Sequence, residues 1–261
     1  MPCNKPKPWV IGNWKMNPAT LTAQQQLTQQ LITLGNEQKL PAGVQLAVAP
    51  TMLHILAVQA QLQQSGSSIK VAAQDISRFA DTGAYTGDVS AQLLSGAGVN
   101  MVLVGHSERR SLYGETAAVL SEKLSLAAKA GLTIVFCVGE TLSEREAGRA
   151  EAVVLQQIDE VFNSVPLIVW QQQVLVAYEP VWAIGTGKTA SPEDAESIHA
   201  AIRRGLKLYH PSLAGVPLLY GGSVKPDNAA SLAACTHIDG VLVGGASLDA
   251  DSFIKIAQAF G

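Results

Sequence analysis

Eight short segments rich in apolar and β-branched residues recur along the chain, each followed by a stretch with helical spacing, and no other feature constrains the fold as strongly. They cover residues 9–15, 44–49, 69–74, 101–105, 132–138, 174–179, 217–222 and 240–244. Several are almost unbroken apolar runs, among them Met101-Val102-Leu103-Val104 and Thr133-Ile134-Val135-Phe136-Cys137-Val138. That pattern belongs to parallel strands buried on both faces, since a half-exposed antiparallel strand alternates apolar with polar. Between them, Leu120, Leu124 and Ala127 recur at helical spacing, as do Ala195, Ile198 and Ile202. Ser191 precedes the latter set as an N-cap, with Pro192 at the first helical position and Asp194 three residues after the cap. The Gln-rich stretch 24–30 keeps Leu27, Leu31 and Leu34 on one face and reads as a solvated helix surface. Doubly wound sheets usually have five to seven strands, so eight β–α units predict a closed (β/α)8 barrel. No linker-like composition break interrupts residues 1–261, which predicts a single α/β domain.

Composition removes several function classes. Hydrophobic residues make up 48% of the chain, ample for a core, but only 15% are charged and the formal net charge is −3. A general electrostatic footprint for nucleic acid or anionic lipid is therefore absent. No apolar run reaches the 18 or so residues that span a bilayer, and the opening MPCNKPKPWV has no secretory apolar region. The expectation is a soluble, cytoplasmic protein. Cys3, Cys137 and Cys235 lie far apart without metal-ligand spacing, so neither a disulfide framework nor a structural zinc site is expected.

Three familiar motifs fail on inspection. Gly185-Thr186-Gly187-Lys188-Thr189 resembles the end of a P-loop, but Trp182 occupies the position of its first glycine. The same stretch fits a loose dinucleotide fingerprint, yet it is separated from its strand and lacks a following acid for a ribose. Gly105-His106-Ser107 and Gly222-Ser223 do not complete a nucleophile elbow, because Arg109 and Lys225 stand at the last glycine positions.

In a (β/α)8 barrel the chemistry sits where strands run into their following loops. Those ends carry Asn13 and Lys15, Gln74, His106-Ser107-Glu108-Arg109, Glu179, Gly221-Gly222-Ser223 and Gly244-Gly245. An imidazole, a carboxylate, an ammonium and a carboxamide thus converge with glycine-rich loops whose N–H groups can cradle a phosphate. A small phosphorylated substrate and an acid–base step follow. Other residues read as structural: His54, His199, His210 and His237 as surface or capping groups, Glu108 as a salt-bridge partner of Arg109 or Arg110, Cys137 as a buried small side chain, and Glu140 as a helix cap.

Five blocks carry a family resemblance: Gly12-Asn13-Trp14-Lys15-Met16-Asn17, Gly105 through Arg110, Ala177 through Gly187, Tyr220 through Val224, and Leu242 through Leu248. With these the chain resembles the triosephosphate isomerase family along essentially its whole length. The resemblance implies a glycolytic and gluconeogenic aldose–ketose isomerase that interconverts dihydroxyacetone phosphate and D-glyceraldehyde 3-phosphate through an enediolate, without metal or organic cofactor. It assigns Glu179 as general base and His106 as neutral electrophile, its pKa lowered by a helix N-terminus. Lys15 and Asn13 become substrate-binding and catalytic groups, and the backbone of Gly185, Ser223, Gly244 and Gly245 the phosphate contacts. It further implies a lid over 180–188 and a homodimer in which the loop 75–88 brings Thr86 toward the partner's site. Asp75, Asp88 and His237 stand where the family commonly has Asn, Glu and an acid. Two alternatives remain at this stage. Another phosphosugar isomerase or epimerase would be expected to carry metal ligands, and a non-catalytic binding protein to lose Lys15, His106 or Glu179.

Overall fold

The structure is a computed structural model that describes residues 6–37, 40–41, 43–80, 82–184 and 190–261. Strands β1 (Trp9–Asn13), β2 (Gln45–Ala49), β3 (Lys70–Ala73), β4 (Met101–Val104), β5 (Thr133–Val138), β6 (Val174–Tyr178), β7 (Leu218–Tyr220) and β8 (Gly240–Val243) pair in parallel in chain order. β8 returns to β1, with Val10 opposite Val241, and closes the expected barrel. All eight expected strands form, most of them shorter by one or two residues at the ends. The largest difference is at the seventh, where pairing covers only Leu218–Tyr220 of 217–222; at the first the ladder stops at Asn13, and Lys15 beyond it adopts φ +51°.

Period-two alternation divides the core in two. Trp9, Ile11, Ala47, Ala49, Met101, Leu103, Val135, Cys137, Leu175, Ala177, Leu219 and Leu242 fill the barrel interior. The residues between them, such as Val10, Val48, Val102, Phe136, Val176 and Val241, point outward under the helices. The alternation also sets which polar residues reach the lumen's mouth. Asn13 continues the inward series 9, 11, and Glu179 continues 175, 177. His106 falls out of phase with Met101 and Leu103; the intervening Gly105, at φ +75°, turns the chain and breaks the alternation.

The helix Pro192–Tyr209 begins with the expected capping box: Ser191 Oγ accepts from Asp194 N at 3.1 Å, and Asp194 Oδ2 accepts from Ser191 N at 3.2 Å. Ala195, Ile198 and Ile202 are buried on its inner face, as are Leu120, Leu124 and Ala127 on the helix Ala117–Lys129. Two surface expectations need correction. Gln24 is buried within the helix Leu21–Glu37, where its carboxamide donates to Thr28 Oγ1. His54 and His199 are buried, not at the surface; His54 does stand at the N-cap position of the helix Ile55–Gln64, but its side chain makes no capping hydrogen bond. His199 Nδ1 donates to Ala195 O at 2.7 Å, and burial holds its pKa down at about 4. His210 does cap, accepting from Ser212 N, and His237 Nδ1 lies 2.7 Å from Glu196 Oε1.

Candidate active site

At the C-terminal mouth of the barrel, β1, β4 and β6 bring Asn13, Lys15, His106 and Glu179 together. His106 Nε2 lies 2.9 Å from Glu179 Oε1, and both side chains are buried. The other carboxylate oxygen, Oε2, accepts from Ser107 N at 2.9 Å, at the start of the helix Ser107–Tyr113. His106 is that helix's N-cap, and its Nδ1 accepts from Glu108 N at 3.3 Å. A ring nitrogen that accepts carries no proton, so the imidazole in this arrangement is neutral with its proton on Nε2. The environment does not lower the pKa of His106 as expected. Burial pushes it down, but the nearby Glu179 and Glu108 carboxylates push it up further, and the net direction is upward.

Lys15 is held by its backbone. Its N–H donates to Asn13 Oδ1 at 3.0 Å, and its carbonyl accepts from Gln74 Nε2 at 2.7 Å, which pins a non-glycine residue in the left-handed region. The ammonium pairs with Glu108 Oε1 at 2.6 Å. Glu108 is therefore not the partner of Arg109 or Arg110. Arg109 turns to Asp75 and Glu115, and Arg110 donates to Gly105 O at 2.8 Å and Cys137 O at 2.7 Å, tying β4 to β5 beneath His106. Cys137 is buried as expected, and desolvation together with the Glu179 carboxylate raises its thiol pKa.

Glycines let backbone close around this cluster. A Cβ at Gly221 would lie 3.0 Å from Glu179 Cγ, and one at Gly222 would collide with the Tyr220 hydroxyl and sit 3.0 Å from Pro180. A Cβ at Gly244 would lie 3.8 Å from Lys15 Cε, so the end of β8 brings Gly244 beside the lysine side chain. Gly245 opens a short 3-10 turn, Gly245–Leu248, with open space around it. Ser223, next to Gly222, accepts from Asn228 Nδ2 through its carbonyl. Gly185 lies outside the described residues, as does the rest of 185–188, the end of the segment expected to act as a lid.

Glu140 is not a helix cap. Thr141 caps the helix Leu142–Glu146, whereas the fully buried Glu140 Oε1 accepts from Tyr178 OH at 3.0 Å and Trp182 Nε1 at 2.8 Å. It thereby secures the turn Val181–Ala183 that follows Glu179. Ser107 and Gln74 had stood only as members of the strand-end set; their contacts with Glu179 and Lys15 depend on loop geometry that spacing does not encode. Among the described residues, no group of three or more His, Cys, Asp or Glu side chains is arranged to hold a metal ion, and no helix is long and apolar enough to cross a membrane.

The family profile described as triosephosphate isomerase matches residues 8–260. A triosephosphate isomerase of Acinetobacter baylyi is 53% identical over 254 residues, covering 97% of this chain and 96% of that protein. One from Acinetobacter baumannii is 52% identical over 253 residues with the same coverage, and one from Delftia acidovorans is 47% identical over 253 residues, covering 97% and 98%. A full-length profile match and relatives this similar, on a closed eight-stranded barrel with the His106–Glu179 pair at its mouth, lead to one conclusion: the chain belongs to the triosephosphate isomerase family.

Proposed function

We propose that the chain interconverts dihydroxyacetone phosphate and D-glyceraldehyde 3-phosphate, with Glu179 moving one proton between neighbouring carbons. The observation that carries this reading is the buried His106–Glu179 pair facing Lys15. The carboxylate removes a proton from the carbon beside the carbonyl, leaving an enediolate, and returns it to the adjacent carbon. The oxygens shift in concert: the former carbonyl gains a proton and the neighbouring hydroxyl loses one. His106 Nε2–H points to where those oxygens would sit and donates to them. An oxygen there takes the place that Glu179 Oε1 holds beside His106 Nε2. Lys15 offsets the negative charge of the enediolate and of the phosphate, and Asn13 fixes the substrate oxygens.

The backbone N–H groups of Gly185, Ser223, Gly244 and Gly245 receive the phosphate in this reading. Segment 180–188 acts as a lid that excludes water, so that the enediolate does not lose phosphate by elimination. The chain works as a homodimer in which the loop 75–88, with Thr86, reaches the partner's site. This is supported by the exposure of Met16, Leu53, Phe79 and Tyr85 and by a pocket of about 620 Å³ lined by Gln74, Arg109 and Glu115. Its substrates are phosphorylated anions that do not cross a bilayer, so the enzyme works in the compartment that makes and uses them, the cytoplasm in this reading.

The test is conversion of D-glyceraldehyde 3-phosphate by the purified protein with a chelator present, beside Glu179→Gln. Rapid turnover that survives chelation and falls by several orders of magnitude in the near-isosteric variant is expected. A folded variant with near-native turnover would refute Glu179 as the base.

A further inference from the structure

We propose that Gln157, on the helix Ala150–Phe162 outside the barrel, is a positioning residue for Glu179 that acts through the backbone of Gly139. The inference rests on Glu179 being the base. Residues 138–140 form the bed on which the end of the catalytic strand lies. Val138 O accepts from Glu179 N at 2.8 Å, and Glu140 O accepts from Val181 N at 3.2 Å. Between these two contacts, both backbone groups of Gly139 go to a single carboxamide. Gly139 N donates to Gln157 Oε1 at 2.8 Å, and Gln157 Nε2 donates to Gly139 O at 2.9 Å.

A two-point contact fixes the orientation of the adjoining peptide planes, where one hydrogen bond would leave a hinge. The Glu179 backbone sits on Gly139 without slack, because a Cβ at 139 would fall 1.8 Å from Glu179 O. Any displacement of residue 139 is therefore passed to the residue that carries the carboxylate. Only a carboxamide of this length supplies both an acceptor and a donor at this site. Glutamate retains the acceptor but loses the donor, and leucine loses both. Small misplacement of a reacting group lowers turnover by up to about 100-fold, even when the change lies outside the chemistry. Neither Gly139 nor Gln157 is among the proposed phosphate contacts, which fall on Gly185, Ser223, Gly244 and Gly245, so substrate affinity is not carried through Gln157.

The experiment compares Gln157→Leu, Gln157→Glu and the neighbouring exposed Gln156→Leu in kcat, KM, inhibition by inorganic phosphate and thermal midpoint. Gln157→Leu is expected to lower kcat about 10- to 100-fold, with KM and the phosphate inhibition constant unchanged within about twofold. Gln156→Leu is expected to match the parent enzyme. A folded Gln157→Leu with parental kcat, or with its loss confined to KM, overturns the proposal; so does a lowered thermal midpoint with unchanged kcat. If Gln157→Leu does not fold, Gln157→Glu decides on the same criterion, since it keeps the Gly139 N–H contact. Glu179→Gln assayed in parallel keeps the two ideas separable: native turnover there removes the base, whatever Gln157 does.

Discussion

Lys15 shows how much of this site is bought with backbone strain. A non-glycine residue at φ +51° costs on the order of 1 kcal/mol, and Asn13 and Gln74 hold it there from either side. The return is an ammonium at the mouth of the barrel, where it pairs with Glu108. Lys15→Ala is expected to raise KM and to lower kcat, with kcat/KM falling at least about 100-fold, because one charge serves both bound phosphate and enediolate. Thermal stability should barely change, since the strained backbone remains. A variant that loses stability alone would make the lysine structural. Asn13, Lys15, His106 and Glu179 were all legible as polar residues where apolar strands end. The partner of Glu108 was not. Adjacent residues on a helix point apart, so Glu108, Arg109 and Arg110 each find a different neighbour, and only the folded loop brings Lys15 to the first of them.

Among the elements, the helix Pro192–Tyr209 combines what the sequence reveals with what it conceals. Its start is written in Ser191, Pro192 and Asp194, and a capping contact of this kind contributes about 1 kcal/mol. Its buried histidine is not written. His199 lies on the inner face four residues after Ala195, whose carbonyl satisfies Nδ1, and it packs edge-on against Tyr178. Its folded pKa of about 4 lies below the unfolded value of about 6.5. The folded state thus binds fewer protons, and its contribution is complete above the unfolded pKa and lost as pH falls from about 6.5 to about 4. That loss amounts to about 3 kcal/mol. His199→Gln is expected to flatten this part of the stability–pH curve relative to the parent in urea unfolding at pH 4 to 7. Parallel curves for the two proteins would contradict the assignment. Strand ends were over-read for a related reason: polar loop residues such as Lys15 and Gln74 follow the strands without a composition change, and only hydrogen-bond registry marks where pairing stops.

At the scale of the molecule, closure of the barrel follows from the count of eight apolar strands and the parity of their residues, both of which can be read from the chain. The ion pair between Arg203 and Asp239, with Asp239 also accepting from Leu218 N at 3.0 Å, links β7 to the approach of β8 near the seam. No spacing rule announces it, because the two residues meet only after the last strand has returned. Association belongs to this scale too. Thr86→Arg places a charge on the loop proposed to enter a second copy, and sedimentation is expected to show a folded monomer with turnover reduced at least tenfold. A variant that stays dimeric and fully active would contradict the loop's role. The central claim is that Glu179 carries a proton between two carbons of the substrate. Its most direct test is the isotopic content of product formed in deuterium oxide, followed by NMR for the parent enzyme and Glu179→Gln. Carbon-bound deuterium in product from the parent, and none above the uncatalysed background with the variant, is the expected result. Product formed, and deuterium incorporated, at equal rates by the parent enzyme and a folded Glu179→Gln would contradict it.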